Sequence, residues 1–178
     1  MAFWTTPASQ NADPKRNFRF FIQITSLGGK MWWAKGISKP SYTVGSTTHQ
    51  YLNHNYYFPG RVEWDAVTAT FVDPQDPDFA KIINQAVEAG GYKIPSNENE
   101  DTTIGKSTAV AALGNVICTQ IDSDGDAVES WILHNAFITK VTHSELSYDN
   151  EDLSTVEVEF RYDWAELEAG DGTAVFSS

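Results

Sequence analysis

The chain has 178 residues, with 12 Lys and Arg against 24 Asp and Glu for a formal net charge of −12, a single cysteine and no basic cluster. This length suits one domain that buries about two thirds of its unfolded surface, and the lone Cys118 carries no disulfide framework, which points to folding in a reducing cytoplasm. The charge balance disfavours gripping nucleic acid through phosphate neutralisation, and neither a long apolar run nor a basic-then-apolar leader is present, so no membrane span or secretion signal is expected.

Residues 1–16 read as an N-terminal arm, polar and with little to bury except Phe3 and Trp4, which ask for a partner surface. Phe18, Phe20, Ile22 and Ile24 then alternate with Arg19, Gln23 and Thr25. After Leu27-Gly28-Gly29-Lys30, Met31-Trp32-Trp33 is expected to open the second strand of a hairpin. Residues 41–58 are a polar, aromatic hairpin or long loop in which Tyr42, Val44, Tyr51, Leu52, Tyr56 and Tyr57 lie among Ser, Thr, His and Asn. So little charge with so many rings fits an interface better than a core meander, and Tyr42, Tyr51, Tyr56 and Tyr57 join Phe3 and Trp4 as candidate contact residues.

Pro59-Gly60 reads as a turn, and the alternation of Glu63 and Asp65 with Val62, Trp64 and Ala66 predicts a two-faced strand over 62–72. Asp73-Pro74 ends it, and Asp76-Pro77 places an N-cap before a proline at the first helical position, predicting the main helix over 77–89. Phe79, Ile82, Ile83, Ala86 and Val87 form its single apolar stripe, and Gly90-Gly91 stops it. A polar, acidic loop follows at 95–103, then a short helix at 107–113 closed by Gly114. Strands are expected at 115–121, 128–134, 137–147 and 154–164. In the last of these Val156, Val158, Phe160, Tyr162 and Trp164 share one face, and Glu157, Glu159, Arg161 and Asp163 the other. The predicted fold is mainly β: two packed antiparallel sheets as a sandwich or partly closed barrel, with one main helix. The division is an arm at 1–16, a β domain at 17–167 and a tail at 168–178.

Candidate chemistry fails on inspection. Ile104-Gly105-Lys106-Ser107 would end a phosphate loop, yet Glu100 stands where that motif needs glycine. Asp122-Ser123-Asp124-Gly125-Asp126 has glycine out of register for a calcium loop and reads as a hairpin turn, with weak calcium binding left open. His49 and His54, five apart, are expected on opposite strand faces without further ligands. Cys118 reads as a small buried residue, and the Glu157/Glu159 pair as a hydrated mixed-charge surface with Arg161 and Asp163 rather than an acid/base couple. No catalytic, cofactor or metal site is expected. A platform of Trp32, Trp33, Tyr56 and Tyr57 would suit a monomeric β-sandwich that binds glycans, the reading from another class.

The run from Tyr56 to Phe79 resembles the tail tube proteins of contractile-tailed bacteriophages. So do Glu129-Ser130-Trp131-Ile132-Leu133-His134-Asn135-Ala136-Phe137-Ile138, Leu146-Ser147-Tyr148-Asp149 and Phe160-Arg161-Tyr162-Asp163-Trp164-Ala165. The likeness extends from about 18 to 167 and takes in Ser38-Lys39-Pro40-Ser41-Tyr42-Thr43-Val44, Gly90-Gly91-Tyr92 and Ala112-Leu113-Gly114-Asn115-Val116. It implies a structural, non-enzymatic role. Hexameric rings would stack into a hollow tube in the virion tail, made in the host cytoplasm, with sheath, baseplate and tail-terminator partners and DNA passing through unbound. The same fold would serve the inner tube of a phage-derived injection system or a baseplate tube-initiating subunit. Glu63, Asp65, Glu157, Glu159 and Asp163 are then the candidate lumen- or sheath-facing acids.

Overall fold

The computed structural model describes residues 14–96 and 103–177. In chain order the elements are β1 Phe20–Ile24, β2 Gly29–Met31, β3 Ala34–Ile37, β4 Tyr42–Tyr51, β5 His54–Trp64, β6 Val67–Val72, α1 Phe79–Ala89, α2 Lys106–Leu113, β7 Val116–Ile121, β8 Ala127–His134, β9 Phe137–His143, β10 Thr155–Arg161, β11 Trp164–Ala169 and β12 Ala174–Val175. They form a six-stranded sheet, β12-β11-β8-β7-β1-β2, a four-stranded sheet, β3-β6-β10-β9, and a separate ribbon, β4-β5. The pairings are antiparallel. The expected mainly-β sandwich is present, and its sheets do not close into a barrel.

The core follows from strand period, since alternate side chains of each sheet point inward. Ile22, Ile24, Met31, Val116, Leu133 and Ala165 come from the larger sheet, and Val67, Ala69, Phe71, Val156, Val158 and Phe160 from the smaller, all of them buried. Helix α1 adds Phe79, whose ring centroid lies 4.5 Å from that of Phe71 and 6.3 Å from that of Trp33. Burying one such aromatic is worth roughly 2–3 kcal/mol.

Several boundaries differ from the sequence expectations, each for a local reason. Helix α1 starts at Phe79, not 77, because the Asp78 carboxylate accepts from the Lys81 amide (2.8 Å) while Asp73 takes the Ala80 amide (3.1 Å). Its end is as expected, with Gly91 at φ +111°. Met31 ends a strand instead of opening one, and Trp32-Trp33 form the turn that carries the chain to the other sheet. Pro59-Gly60 lies inside β5, not at a turn, and the expected 62–72 strand breaks at Asp65-Ala66 between the ribbon and β6. Likewise the 154–164 strand ends at Arg161: the Asp163 amide bonds the His134 carbonyl (3.1 Å), and Trp164 opens β11 in the other sheet. Strand β9 stops at His143, where Ser144 turns back to bond the Thr155 carbonyl. The acidic loop expected at 95–103 falls mostly outside the described residues.

Candidate functional site

The ribbon is a long stretch of paired strand that the fold leaves uncovered. From Tyr42 to Glu63 every residue of β4 and β5 is exposed. Residues directly opposite share a face. Pairs Tyr42↔Trp64, Val44↔Val62 and Thr48↔Tyr57 therefore lie on one side, and Thr47↔Phe58, His49↔Tyr56 and Tyr51↔His54 on the other. His49 and His54 thus share a face, contrary to the sequence expectation, because a turn and not one straight strand separates them. The His54 and Tyr56 rings meet edge-on at 4.8 Å. Both faces are aromatic: Tyr57 is 69% exposed on one, Tyr51 63% and Phe58 56% on the other. Apart from the histidines, the ribbon's charges are Arg61 and Glu63, near its root.

The register slips between Val44 and Ser46, where Gly60 and Arg61 bulge against Gly45. A Cβ on Gly60 would sit 3.1 Å from the Gly45 carbonyl carbon and oxygen, so a larger residue would press the two backbones apart by a few tenths of an ångström. An aromatic cluster fixes the root. Trp64 lies 5.0 Å from Tyr42, 6.0 Å from Tyr162 and 5.7 Å from Phe176. Ser41 and Asp65 clip the two legs together through Asp65 N–H to Ser41 O and Ser41 Oγ to Asp65 Oδ2, each 2.9 Å. Beneath them the Tyr162 hydroxyl is buried and has no partner among the described residues, and burial, with Asp65 nearby, pushes its pKa up to about 12.

The candidate residues therefore scatter. Tyr51, Tyr56 and Tyr57 sit on the free part of the ribbon, whereas Tyr42 is engaged at its root; Phe3 and Trp4 lie outside the described residues. Tyr56 and Tyr57 face opposite ways, and Trp33 packs on Phe79, so no joint glycan platform forms with Trp32. Of the acids, Glu63 stays exposed on the ribbon and Asp65 is spent on the clip. Glu157 and Glu159 lie on the outer face of the four-stranded sheet, opposite Thr142 and Lys140. Asp163 does not share that face: past the strand end, it takes Lys106 at 2.7 Å and Asn135 at 2.8 Å, which lower its pKa.

The remaining motifs find ordinary uses. Asp122 closes the β7–β8 turn by accepting the Asp126 and Asp124 amides, bonds that lower its pKa, with Gly125 at φ +91°. Cys118 is buried, and desolvation pushes its thiol up to about 11. No three His, Cys, Asp or Glu side chains gather as a metal site among the described residues.

One polar cluster escaped the sequence reasoning. Glu129 Oε1 accepts from Lys39 Nζ (2.8 Å) and Trp131 Nε1 (2.6 Å), and Oε2 accepts from Lys15. Burial alone would raise this carboxyl, but hydrogen bonds from Lys15, Lys39 and Trp131 outweigh it and bring it down to about 2. Gln120 joins in, accepting from Lys39 Nζ (2.8 Å) and donating to the Arg16 carbonyl (2.9 Å). The available signal was parity, since Gln120 follows Val116 and Cys118 at inward positions of one strand.

The family model for the T4-like virus tail tube protein gp19 matches residues 16–166. Among solved structures, the chain is similar to one in the anti-feeding prophage tube terminating cap, at 12% identity over 89% of this chain and 93% of that one, TM-score 0.66. It is similar also to chains of an extracellular contractile injection system, PVC, in extended state. For the sheath/tube terminator the figures are 15% identity, 89% and 99% coverage and TM-score 0.65. For the sheath-tube complex they are 18%, 93% and 99%, and 0.61. At these identities the likeness is one of fold. No curated protein matches the sequence.

Proposed function

This chain belongs to the T4-like virus tail tube protein family, and from that premise we propose that it is a non-enzymatic structural subunit whose copies assemble as hexameric rings stacked into a hollow tube. The observation that carries the proposal is the β4–β5 ribbon, which exposes aromatic side chains on both faces. A ribbon meant for water keeps one polar face, whereas this one needs cover on two sides, and other copies of the chain supply it. The arm with Phe3 and Trp4, and ribbon residues Tyr51, Tyr56 and Tyr57, make the contacts between rings. The sheath assembles around the tube, baseplate and terminator proteins close its ends, and DNA passes without specific binding, in a tail built in the bacterial host.

The outer face of the four-stranded sheet suits the conduit wall. It presents Thr68, Thr70 and Thr142 with Glu157, Glu159 and Lys140, whereas the larger sheet's outer face is more apolar, carrying half-buried Phe21, Ile117, Ile132 and Trp164. The fold shared with injection-system components supports a second reading, an inner tube that conducts protein; capsid and terminase genes nearby would favour the phage. The test of assembly is electron microscopy of the purified protein without additives. Rings or tubes are expected, and a strict monomer at high concentration overturns the proposal.

A further inference from the structure

The uncovered ribbon and the described start of the chain at residues 14–16, the root of the N-terminal arm, are both fastened at a single polar cluster. Gln120 and Glu129 stand opposite each other in β7 and β8, at positions whose neighbours along the strands, Cys118 and Trp131, also pair. Strand phase turns all four toward the sandwich interior, where apolar pairs are the rule. Here two polar groups sit instead, each bonded to both roots. Gln120 holds the Arg16 carbonyl on the arm side and Lys39 on the ribbon side. Glu129 holds Lys15 on the arm side and Lys39 again on the other.

From Lys39 the path to the ribbon is short and stiff. Pro40 has a fixed φ and restricts the residue before it. Ser41 follows, already clipped to Asp65 on the opposite leg. The lysines themselves are not locked by packing: each is 49% exposed, and a cavity of about 280 Å³ opens beside Lys39, whereas the Glu129 side chain is only 11% exposed. The carboxylate is therefore the fixed point and the two roots are what it fixes. A half-buried ion cluster of this kind gives little net stability over a well-packed apolar one, and its effect lies in selecting one arrangement.

We propose that Glu129 and Gln120 are positioning residues for assembly, which hold the arm root and the ribbon root in one mutual orientation so that both reach neighbouring copies of this chain together. This rests on the tube-subunit reading above. Glu129→Gln keeps the side-chain shape and removes the charge that both lysines share.

The test is residue-resolved amide exchange on dilute, unassembled protein, followed by microscopy of tubes. Two amides report on the roots: Arg19 N–H, bonded to Arg16 O, and Asp65 N–H, bonded to Ser41 O. In Glu129→Gln both should exchange about tenfold faster while Val158 in the core stays unchanged, and tubes should be short or absent. Lys15→Met and Lys39→Met should each loosen both roots, the remote one less, and they carry the test if Glu129→Gln does not fold. Loosening confined to each lysine's own root overturns the coupling. So does exchange that rises equally at Val158, which marks a merely structural cluster, or tubes of normal length in Glu129→Gln. If the wild-type protein itself forms no tubes, the tube reading fails, while the exchange pattern still decides whether the roots are coupled.

Discussion

Glu129 is a carboxylate whose ionised form the folded chain prefers strongly, and this sets a pH dependence with a definite sign. Its folded pKa of about 2 lies below the ordinary 4.5. The stabilisation is therefore complete above about pH 5 and is lost as pH falls from 4.5 toward 2. Urea unfolding at pH 7 and pH 3 should show a loss of about 2 kcal/mol from this group, seen as the extra drop in wild type relative to Glu129→Gln. Equal drops in both proteins would refute it. Asp78 offers a simpler check: Asp78→Ala removes the acceptor for the Lys81 amide and should cost about 1 kcal/mol, read from the urea midpoint. Both residues show what a linear sequence hides. Asp76-Pro77 looked the better helix start, and only the geometry shows the Asp78 carboxylate reaching the third residue of the turn. Glu129 stood in a motif that resembled a family, but its partners Lys15 and Lys39 are far away in the chain and no local pattern links them.

At the scale of elements, the ribbon was legible in composition and misread in punctuation. Few charges and many rings over 41–58 set apart a polar, aromatic hairpin or loop, which the structure shows as an exposed ribbon, yet Pro59-Gly60, read as a turn beyond it, lies inside β5. The real turn is Leu52-Asn53, with Leu52 at φ +51°, a left-handed residue that no propensity would nominate. Glycine serves turns and bulges alike, so only the partner strand, with Gly45 opposite Gly60, tells them apart. The missed strand β11 has a similar cause: alternation continues in step through Trp164, and the bend at Asp163 is made by a distant carbonyl, that of His134. Because the ribbon's faces are independent of the core, Tyr57→Ser on one face and Phe58→Ser on the other should each block tube elongation seen by microscopy, with the thermal midpoint unchanged within about 2 °C. Full-length tubes from either variant would show that its face is not covered by a neighbour. Gly60→Ala should act differently, distorting the ribbon near its root, so that both faces present at the wrong angle and rings fail to stack.

For the whole molecule the net charge is −12, and among the described residues the acidic excess lies in the connecting segments and not on the sheet face proposed for the conduit. Asp122, Asp124 and Asp126 fill one turn, and Glu145, Asp149, Glu151 and Asp152 another, while on the four-stranded sheet Glu159 stands opposite Lys140. As the wall of the proposed conduit, a face of threonines with Glu157, Glu159 and Lys140 would give passing DNA little to hold. Glu157→Lys with Glu159→Lys should convert it to a trap, with six copies per ring adding phosphate contacts, and assembled tubes should then retain DNA in a way that weakens steeply with salt. Retention that does not differ from wild type would place that sheet away from the lumen. Before any ring forms, the same chain joins a strongly anionic body to an uncovered aromatic ribbon, which makes the free subunit an ionic amphiphile. Such molecules share a behaviour: repulsion between like-charged bodies holds them apart until the concentration passes a threshold, and added salt lowers that threshold by screening the bodies while leaving the apolar attraction intact. The critical concentration for tube growth, read by light scattering, should accordingly fall between low and physiological salt, so that the anionic surface acts as the brake that keeps the ribbon from associating too early.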